Sequence, residues 1–319
     1  MVNFAVIDLG SNSIRLKISQ INPDGSFIVT HQLKEMVRLS ENMGEEKVLQ
    51  PEPIARTIKA LESFKQVYEQ LPDLHLEAIA TAAVRQAKNQ AEFLKLVKKK
   101  IGVKFEVISG NQEAYLDFLG VSKTLKIGKK CLIMDTGGAS TELIYVKNQK
   151  IQNLISLPFG SVTVSQEFAL GNQVSPGNLF RAMTDVEQKL TDIDWILDAH
   201  KSNLVALGGS NRTLAKIARH KESESDELPS LHGFQLSGSQ AVDIFANLVN
   251  LDRQQREDIP GLAKVRADVI VGGLIPISLL LRVLHIPKIL FSNCGLRDGA
   301  LFNYLAANDY PPKKLKNNY

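Results

Sequence analysis

An apolar run ending in aspartate and followed at once by a bend of small residues occurs twice in this chain. Phe4-Ala5-Val6-Ile7 leads into Asp8-Leu9-Gly10-Ser11-Asn12-Ser13, and Cys131-Leu132-Ile133-Met134 leads into Asp135-Thr136-Gly137-Gly138-Ala139-Ser140-Thr141. Short apolar runs bounded by glycine read as buried strands. Each bend therefore places a carboxylate at a strand's end. Small residues let backbone N–H groups approach an anion closely, and paired carboxylates suit a divalent cation. The repetition predicts two related halves that together form a phosphate site.

The pattern along the rest of the chain supports two α/β halves. Residues 14–20 and 26–33 read as strands joined by the turn Asn22-Pro23-Asp24-Gly25. Ile54, Ile58, Leu61, Phe64, Val67 and Tyr68 recur at helical spacing over residues 52–70. A strand at 75–80, a helix at 89–100, a strand at 105–108 and a helix at 112–122 follow. This is the order of a mixed sheet flanked by helices. The polar, basic stretch 122–130 is the expected hinge. Beyond it the opening order recurs, with strands at 142–146 and 151–156. Helices are expected over about 176–200, 239–250 and 268–284, and strands at 203–207 and 288–292. Residues 222–227 read as an acidic, serine-rich solvated loop. The domains read as 1–121, 122–310 and a basic tail 311–319, with a last helix near 297–310 that returns to the first domain.

Composition narrows the class. The 319 residues are 44% hydrophobic and 23% charged, with a formal net charge of +4, as in an ordinary globular protein long enough for two cores. The basic excess favours polyanions in general, but no nucleic-acid module is present. Two cysteines far apart, Cys131 and Cys294, read as inert reduced thiols. The apolar run 269–281 is interrupted by glycines and proline and is shorter than the roughly 20 residues of a membrane span. No nucleic acid and no membrane are expected as partners, and the expected location is the cytoplasm.

Other segments add chemistry. Gly208-Gly209-Ser210-Asn211-Arg212-Thr213 follows a buried strand and opens a helix, where N–H groups bind anions; Ser210 reads equally as an N-cap. Arg85 follows the 75–80 strand and suits phosphate oxygens or the capping of that strand's end. Glu113, in Ser109-Gly110-Asn111-Gln112-Glu113-Ala114, starts a helix and serves as a general base or as a partner of the helix dipole. The six histidines show no metal-ligand spacing.

In order and spacing, the segments Asp-Leu-Gly-Ser-Asn-Ser, Ala-Thr-Ala-Ala-Val-Arg, Ser-Gly-Asn-Gln-Glu-Ala, Asp-Thr-Gly-Gly-Ala-Ser-Thr-Glu and Gly-Gly-Ser-Asn-Arg-Thr closely resemble the exopolyphosphatase / guanosine pentaphosphate phosphohydrolase family. Arg266-Ala267-Asp268 and the stretch 292–299 also look like that family, so the resemblance covers roughly residues 3–305.

The resemblance implies a two-domain actin-like ATPase (ribonuclease H-like) α/β fold with an interdomain cleft. It also implies hydrolysis of a terminal phosphoanhydride and a homodimer. Mg²⁺, or Mn²⁺ in its place, is the implied cofactor, assisted by a monovalent cation such as K⁺. Glu113 matches the family's catalytic base. Asp135 and Glu142, with Asp8 as a further contributor, match acids associated with the metal. Ser11, Asn12, Ser13, Arg85, Gly137, Gly138, Ser140, Gly209 and Ser210 match positions expected to hold phosphates.

Ala139 departs from a run that usually reads as three glycines. It is compatible with φ below zero and strained at positive φ. The chain also stops near residue 319, where longer relatives continue into helical domains thought to grip long polymers. A sugar- or acetate-type kinase and a non-catalytic sensor of polyphosphate or guanosine phosphates are the rival readings.

Overall fold

The computed structural model describes residues 1–222 and 228–311. Most of the acidic serine-rich stretch, from residue 223, and the basic tail from residue 312 lie outside the described residues. The chain divides into two compact units, Met1–Lys123 with the segment from Gly295 onward, and Thr124–Cys294.

The first unit is built on strands β1 (Val2–Leu9), β2 (Ile14–Ile21), β3 (Phe27–Glu35), β4 (Leu74–Ala80) and β5 (Glu106–Val107), ordered β3-β2-β1-β4-β5. The first three form an antiparallel meander, while β4 runs parallel to β1 and β5 parallel to β4. The β2–β3 turn closes through Gly25, whose φ of 78° only glycine adopts freely. Helices α1 (Pro51–Tyr68), α2 (Ala82–Gln86), α3 (Gln90–Ile101), α4 (Gly110–Thr124) and a C-terminal helix (Leu296–Ala307) complete the unit.

Strand β1 is apolar on both faces because both are covered. Ala5, Ile7 and Leu9 enter one core with Leu61 and Phe64 of α1 and with Phe93 and Val97 of α3. Phe4 and Val6 enter a second core with Leu296, Ala300, Leu301 and Leu305 of the C-terminal helix. That helix is also fastened by a buried ion pair, Lys17 Nζ to Asp298 Oδ1 at 2.5 Å, with side-chain exposures of 9% and 2%. Gly299 lies against the backbone of Leu116 in α4, and Gly120 lies against Gly295, so the two helices cross with no room for a Cβ at either glycine.

Two local expectations change here. The strand expected over 105–108 shortens to two paired residues, although the Ile108 N–H still donates to the Ala80 carbonyl at 3.1 Å, with Phe105 in one core and Ile108 in the other. The residues after β4 form a short helix, α2, which carries Arg85.

The second unit uses β6 (Lys130–Thr136), β7 (Thr141–Lys147), β8 (Lys150–Leu157), β9 (Asn203–Gly208), β10 (Gln235–Ser237) and β11 (Lys288–Phe291). Their order, β10-β11-β9-β6-β7-β8, reads from the other edge as a meander β8-β7-β6 followed by the parallel strands β9 and β11. This is the strand order of the first unit with an added edge strand, so both units are α/β with a mixed sheet of like order.

Its helices are α5 (Ser161–Glu167), α6 (Pro176–Thr191), α7 (Gly209–Glu222), α8 (Gly238–Asn250), α9 (Arg253–Glu257) and α10 (Ile270–Val283). The helical stretch expected over 176–200 ends at Thr191 and resumes only as a 3₁₀ turn, Ile196–Ala199. Helix α10 contains the interrupted apolar run and is buried over most of its length. Among the described residues no helix is long and apolar enough to cross a membrane.

Two tests follow from this packing. Lys17→Met strands the buried Asp298 carboxylate and should lower unfolding free energy by about 3–5 kcal/mol, read as a fall in urea midpoint. Both cysteines are free and buried, and burial pushes the Cys131 thiol up to about 12. At pH 8 the native protein should therefore titrate almost no thiol with a disulfide reagent, and both thiols only after unfolding.

Candidate active site

The two aspartate–glycine bends have the same geometry. In the first unit the Gly10 N–H donates to the Ser13 carbonyl at 3.2 Å, and in the second the Gly137 N–H donates to the Ser140 carbonyl at 2.9 Å. A Cβ at Gly10 would lie 3.1 Å from the Ser13 oxygen, and one at Gly137 3.2 Å from the Ser140 oxygen. Each turn therefore needs its leading glycine for close approach rather than for positive φ. In the strand registers, Asp8 stands opposite Arg15 and Asp135 opposite Glu142. The duplicated frame thus carries an acid–base pair in one unit and two acids in the other.

Each turn is fixed from behind through its carbonyls. The Ser11 oxygen accepts from the Ser40 N–H at 2.9 Å and from its hydroxyl at 3.2 Å, and the Asn12 oxygen accepts from the Arg38 N–H at 3.0 Å. The Ser11 hydroxyl oxygen accepts from the Ala83 N–H at 3.2 Å, tying the turn to the start of α2. In the second unit the amides at the start of α5 do this work. Gly137 oxygen accepts from Ser161 N–H at 2.9 Å, and Gly138 oxygen from Val162 N–H at 2.8 Å. Gly160 is close enough that a Cβ there would fall 2.7 Å from the Gly138 carbonyl carbon. Ser11, Asn12, Ser13, Ala139 and Ser140 are all buried. Ala139 is not among the residues of positive φ, so the strain considered for alanine at this position does not arise.

Arg85 and Glu113 come together beside the first turn, although 28 residues separate them. Arg85 Nη1 donates to Glu113 Oε2 at 3.1 Å and to the Ile108 carbonyl at 2.8 Å. Ser109 and Gln112 set the position of Glu113 in the first turn of α4. The Gln112 N–H donates to the Ser109 hydroxyl oxygen at 3.2 Å, and the Ser109 N–H donates to Gln112 Oε1 at 2.8 Å. This reciprocal pair is a capping box. Ser109-Gly110-Asn111-Gln112 is therefore a helix start that delivers Glu113 to the carboxyl end of β5.

In the second unit, Glu142 is 1% exposed and its Oε1 accepts from the Ser156 hydroxyl at 2.8 Å. Gly208, at φ 90°, passes so close that a Cβ would lie 2.7 Å from Asp135 Oδ1. Gly209 opens α7 beneath the guanidinium of Arg266, which leaves no room for a side chain there. Ser210 is neither an N-cap nor a presented hydroxyl. It lies inside the first turn of α7, 1% exposed, with its Oγ against Gly273 of α10. Its backbone N–H is what remains for a phosphate.

Every site residue expected from the sequence thus lies at the carboxyl end of the parallel strands of its own unit, the usual ligand end of such sheets. Arg15 and Arg266 were not among those residues. The seven-residue spacing from each aspartate to its cross-strand partner would have singled out Arg15. Arg266 stands in the family-like segment Arg266-Ala267-Asp268 but was given no role there, and it reaches Gly209 only through the fold. Among the described residues no group of three or more His, Cys, Asp or Glu is gathered as for a metal ion.

The family model described as the Ppx/GppA phosphatase family matches residues 18–308, nearly the whole chain. The chain belongs to this family. Among relatives, a Haemophilus influenzae protein provisionally named an exopolyphosphatase is 29% identical over 299 residues, 94% of this chain and 90% of that protein. The bifunctional 3-dehydroquinate synthase/phosphatase of Fusobacterium nucleatum is 30% identical over 283 residues, 85% of this chain but only 42% of its own length. The chain therefore spans less than half of that relative. The crystal structure of the Aquifex aeolicus Ppx/GppA family member superposes with a TM-score of 0.79 at 28% identity, covering 97% of this chain and 99% of that one.

The turn geometry has a direct test. Ala139→Gly should lower stability by about 0.4–1 kcal/mol through a looser unfolded chain and bring no gain in turnover, whereas Gly208→Ala should cost more than that because its φ and surroundings exclude a side chain. Urea unfolding and phosphate release read both.

Proposed function

We propose that this family phosphatase removes terminal phosphoryl groups from inorganic polyphosphate, releasing orthophosphate by in-line attack of water. The observation that carries this reading is Glu113, a carboxylate fixed by a capping box and paired with Arg85 at the carboxyl end of β5. A sensor needs no such positioned carboxylate, and a kinase would aim it at an acceptor hydroxyl in place of water.

In this reading Glu113 accepts the proton of the attacking water as the P–O bond forms. Arg85 aims that carboxylate through its 3.1 Å contact, and its guanidinium has further N–H donors suited to a phosphate oxygen. The amides of Gly10 and Gly137 close the turns, and the remaining amides of the 10–13 turn in the first unit, and of the 137–140 turn with Gly209 and Ser210 in the second, are offered to phosphate oxygens.

Asp135 and Glu142, directly opposed across β6 and β7, offer the hard oxygen donors that Mg²⁺ takes when it keeps several waters and substrate oxygens. Asp8 is a further contributor, and Mn²⁺ would be accepted by the same donors. A bound Mg²⁺ supplies charge neutralisation on the transferring and leaving oxygens. The family's implied homodimer and assisting K⁺ belong to the same proposal.

Purified protein with Mg²⁺ should release orthophosphate from polyphosphate. Glu113→Gln should reduce kcat by about 10²–10⁴-fold while polyphosphate binding stays within a few-fold of wild type. Near wild-type release by that variant would remove Glu113 from the reaction. Release from guanosine pentaphosphate but not from polyphosphate would reassign the substrate, and phosphate transfer to a sugar or acetate would make the protein a kinase.

A further inference from the structure

Helix α7 leaves the Gly208–Gly209 turn with one face wholly committed to the core. Ser210, Asn211, Thr213, Leu214, Ala215, Ile217 and Ala218 are all buried. Of the other side chains before its last two positions, Lys216 and His220 are exposed and Arg212 and Arg219 half-buried. Steps of four and three residues set Arg212, Lys216 and Arg219 in one stripe. At the α-helical rise they span about 10 Å.

This stripe works against the helix that bears it. Like charges four residues apart destabilise a helix by about 0.2–0.5 kcal/mol. A cation in the first turn, where Arg212 stands, also opposes the macrodipole. A solvated helix face usually mixes signs, whereas this one carries no acid until Glu222.

A second arginine reaches the same place from a distant part of the chain. The guanidinium of Arg266, itself only 7% exposed, rests on Gly209 at the head of α7. The loop before it is seated on α7, since a Cβ at Gly261 would fall 2.7 Å from the Lys216 carbonyl carbon. The charges are near enough to act on one another. Burial first, then Arg212, Arg266 and Arg219, push the Lys216 ammonium below its ordinary value.

We propose that the Arg212–Lys216–Arg219 ridge binds the distal phosphates of a linear inorganic polyphosphate running outward from the Gly208–Gly209 turn, and so selects long chains over guanosine pentaphosphate. The proposal rests on reading that turn as part of the phosphate site. A row of cations without Phe, Tyr or Trp suits an unbroken phosphate chain better than a single-stranded nucleic acid, which needs platforms for its bases.

The test compares Lys216→Gln/Arg219→Gln with the charge-conserving Lys216→Arg/Arg219→Lys, both verified by circular dichroism and melting. For long polyphosphate the neutral variant should show KM raised roughly tenfold, with a shallower dependence on salt, as expected when phosphate contacts are lost. Its kcat, and both constants for tripolyphosphate and guanosine pentaphosphate, should stay within about twofold. The charge-conserving variant should match wild type.

Equal loss on all three substrates, no loss, or equal loss in the charge-conserving variant would overturn the ridge. So would binding of single-stranded RNA that equals that of long polyphosphate and vanishes in the neutral variant. If wild type hydrolyses none of the three substrates, the proposed activity fails, and the ridge is then judged by long-polyphosphate affinity alone. Loss of affinity in the neutral variant supports it, and unchanged affinity overturns it.

Discussion

One backbone hydrogen bond, made twice, underlies the arrangement of this molecule. Gly10 N–H to Ser13 O, and Gly137 N–H to Ser140 O, close a turn immediately after a strand-end aspartate. Closing the turn there fixes the register of the hairpin, which decides what each aspartate faces. It also holds the turn carbonyls within reach of donors from Arg38 and Ser40 in one unit and from Ser161 and Val162 in the other. The cores then build outward from β1 and β6, whose buried faces require helices to cover them.

The helices that follow the parallel strands convert this frame into chemistry. Each brings a group to the strand ends that local sequence cannot position by itself. Capping at Ser109 starts α4 one turn before Glu113 is needed, and α2 turns Arg85 back to meet it. In the other unit Gly208 and Gly209 bring the α7 amides in close, and Arg266 is stacked above them. Glycine at 208 meets both a positive φ and crowding by Thr136 and Asp135, whereas at 209 it reflects crowding by Arg266 alone.

The sequence was most legible where structure is local. Both hairpins, their glycine bends, and the amphipathic helices α1 and α3 follow from apolar period and turn chemistry. Legibility failed where tertiary contacts decide. Phe105 and Ile108 look like strand residues and are core anchors, yet only Glu106 and Val107 between them pair with β4. Ser210 looks like a cap or a phosphate hydroxyl, yet Gly273 takes its side chain into the interior. Arg85 and Glu113 were each readable as site residues, but their 3.1 Å contact was not, since it depends on how α2 and α4 leave neighbouring strands. Arg266 was noted as part of a family-like segment, but its place over Gly209 was not readable because nothing in that segment refers to Gly209.

Across the two hairpins the backbone repeats and the charge does not. Asp8 faces Arg15, a pair of formal charge zero, whereas Asp135 faces Glu142, a pair of formal charge minus two. A duplicated scaffold has thus lost its electrical symmetry while keeping its shape. The paired carboxylates of one hairpin carry a net negative charge that the acid–base pair of the other does not. The two hairpins are therefore alike in how their turns close and unlike in the charge they carry.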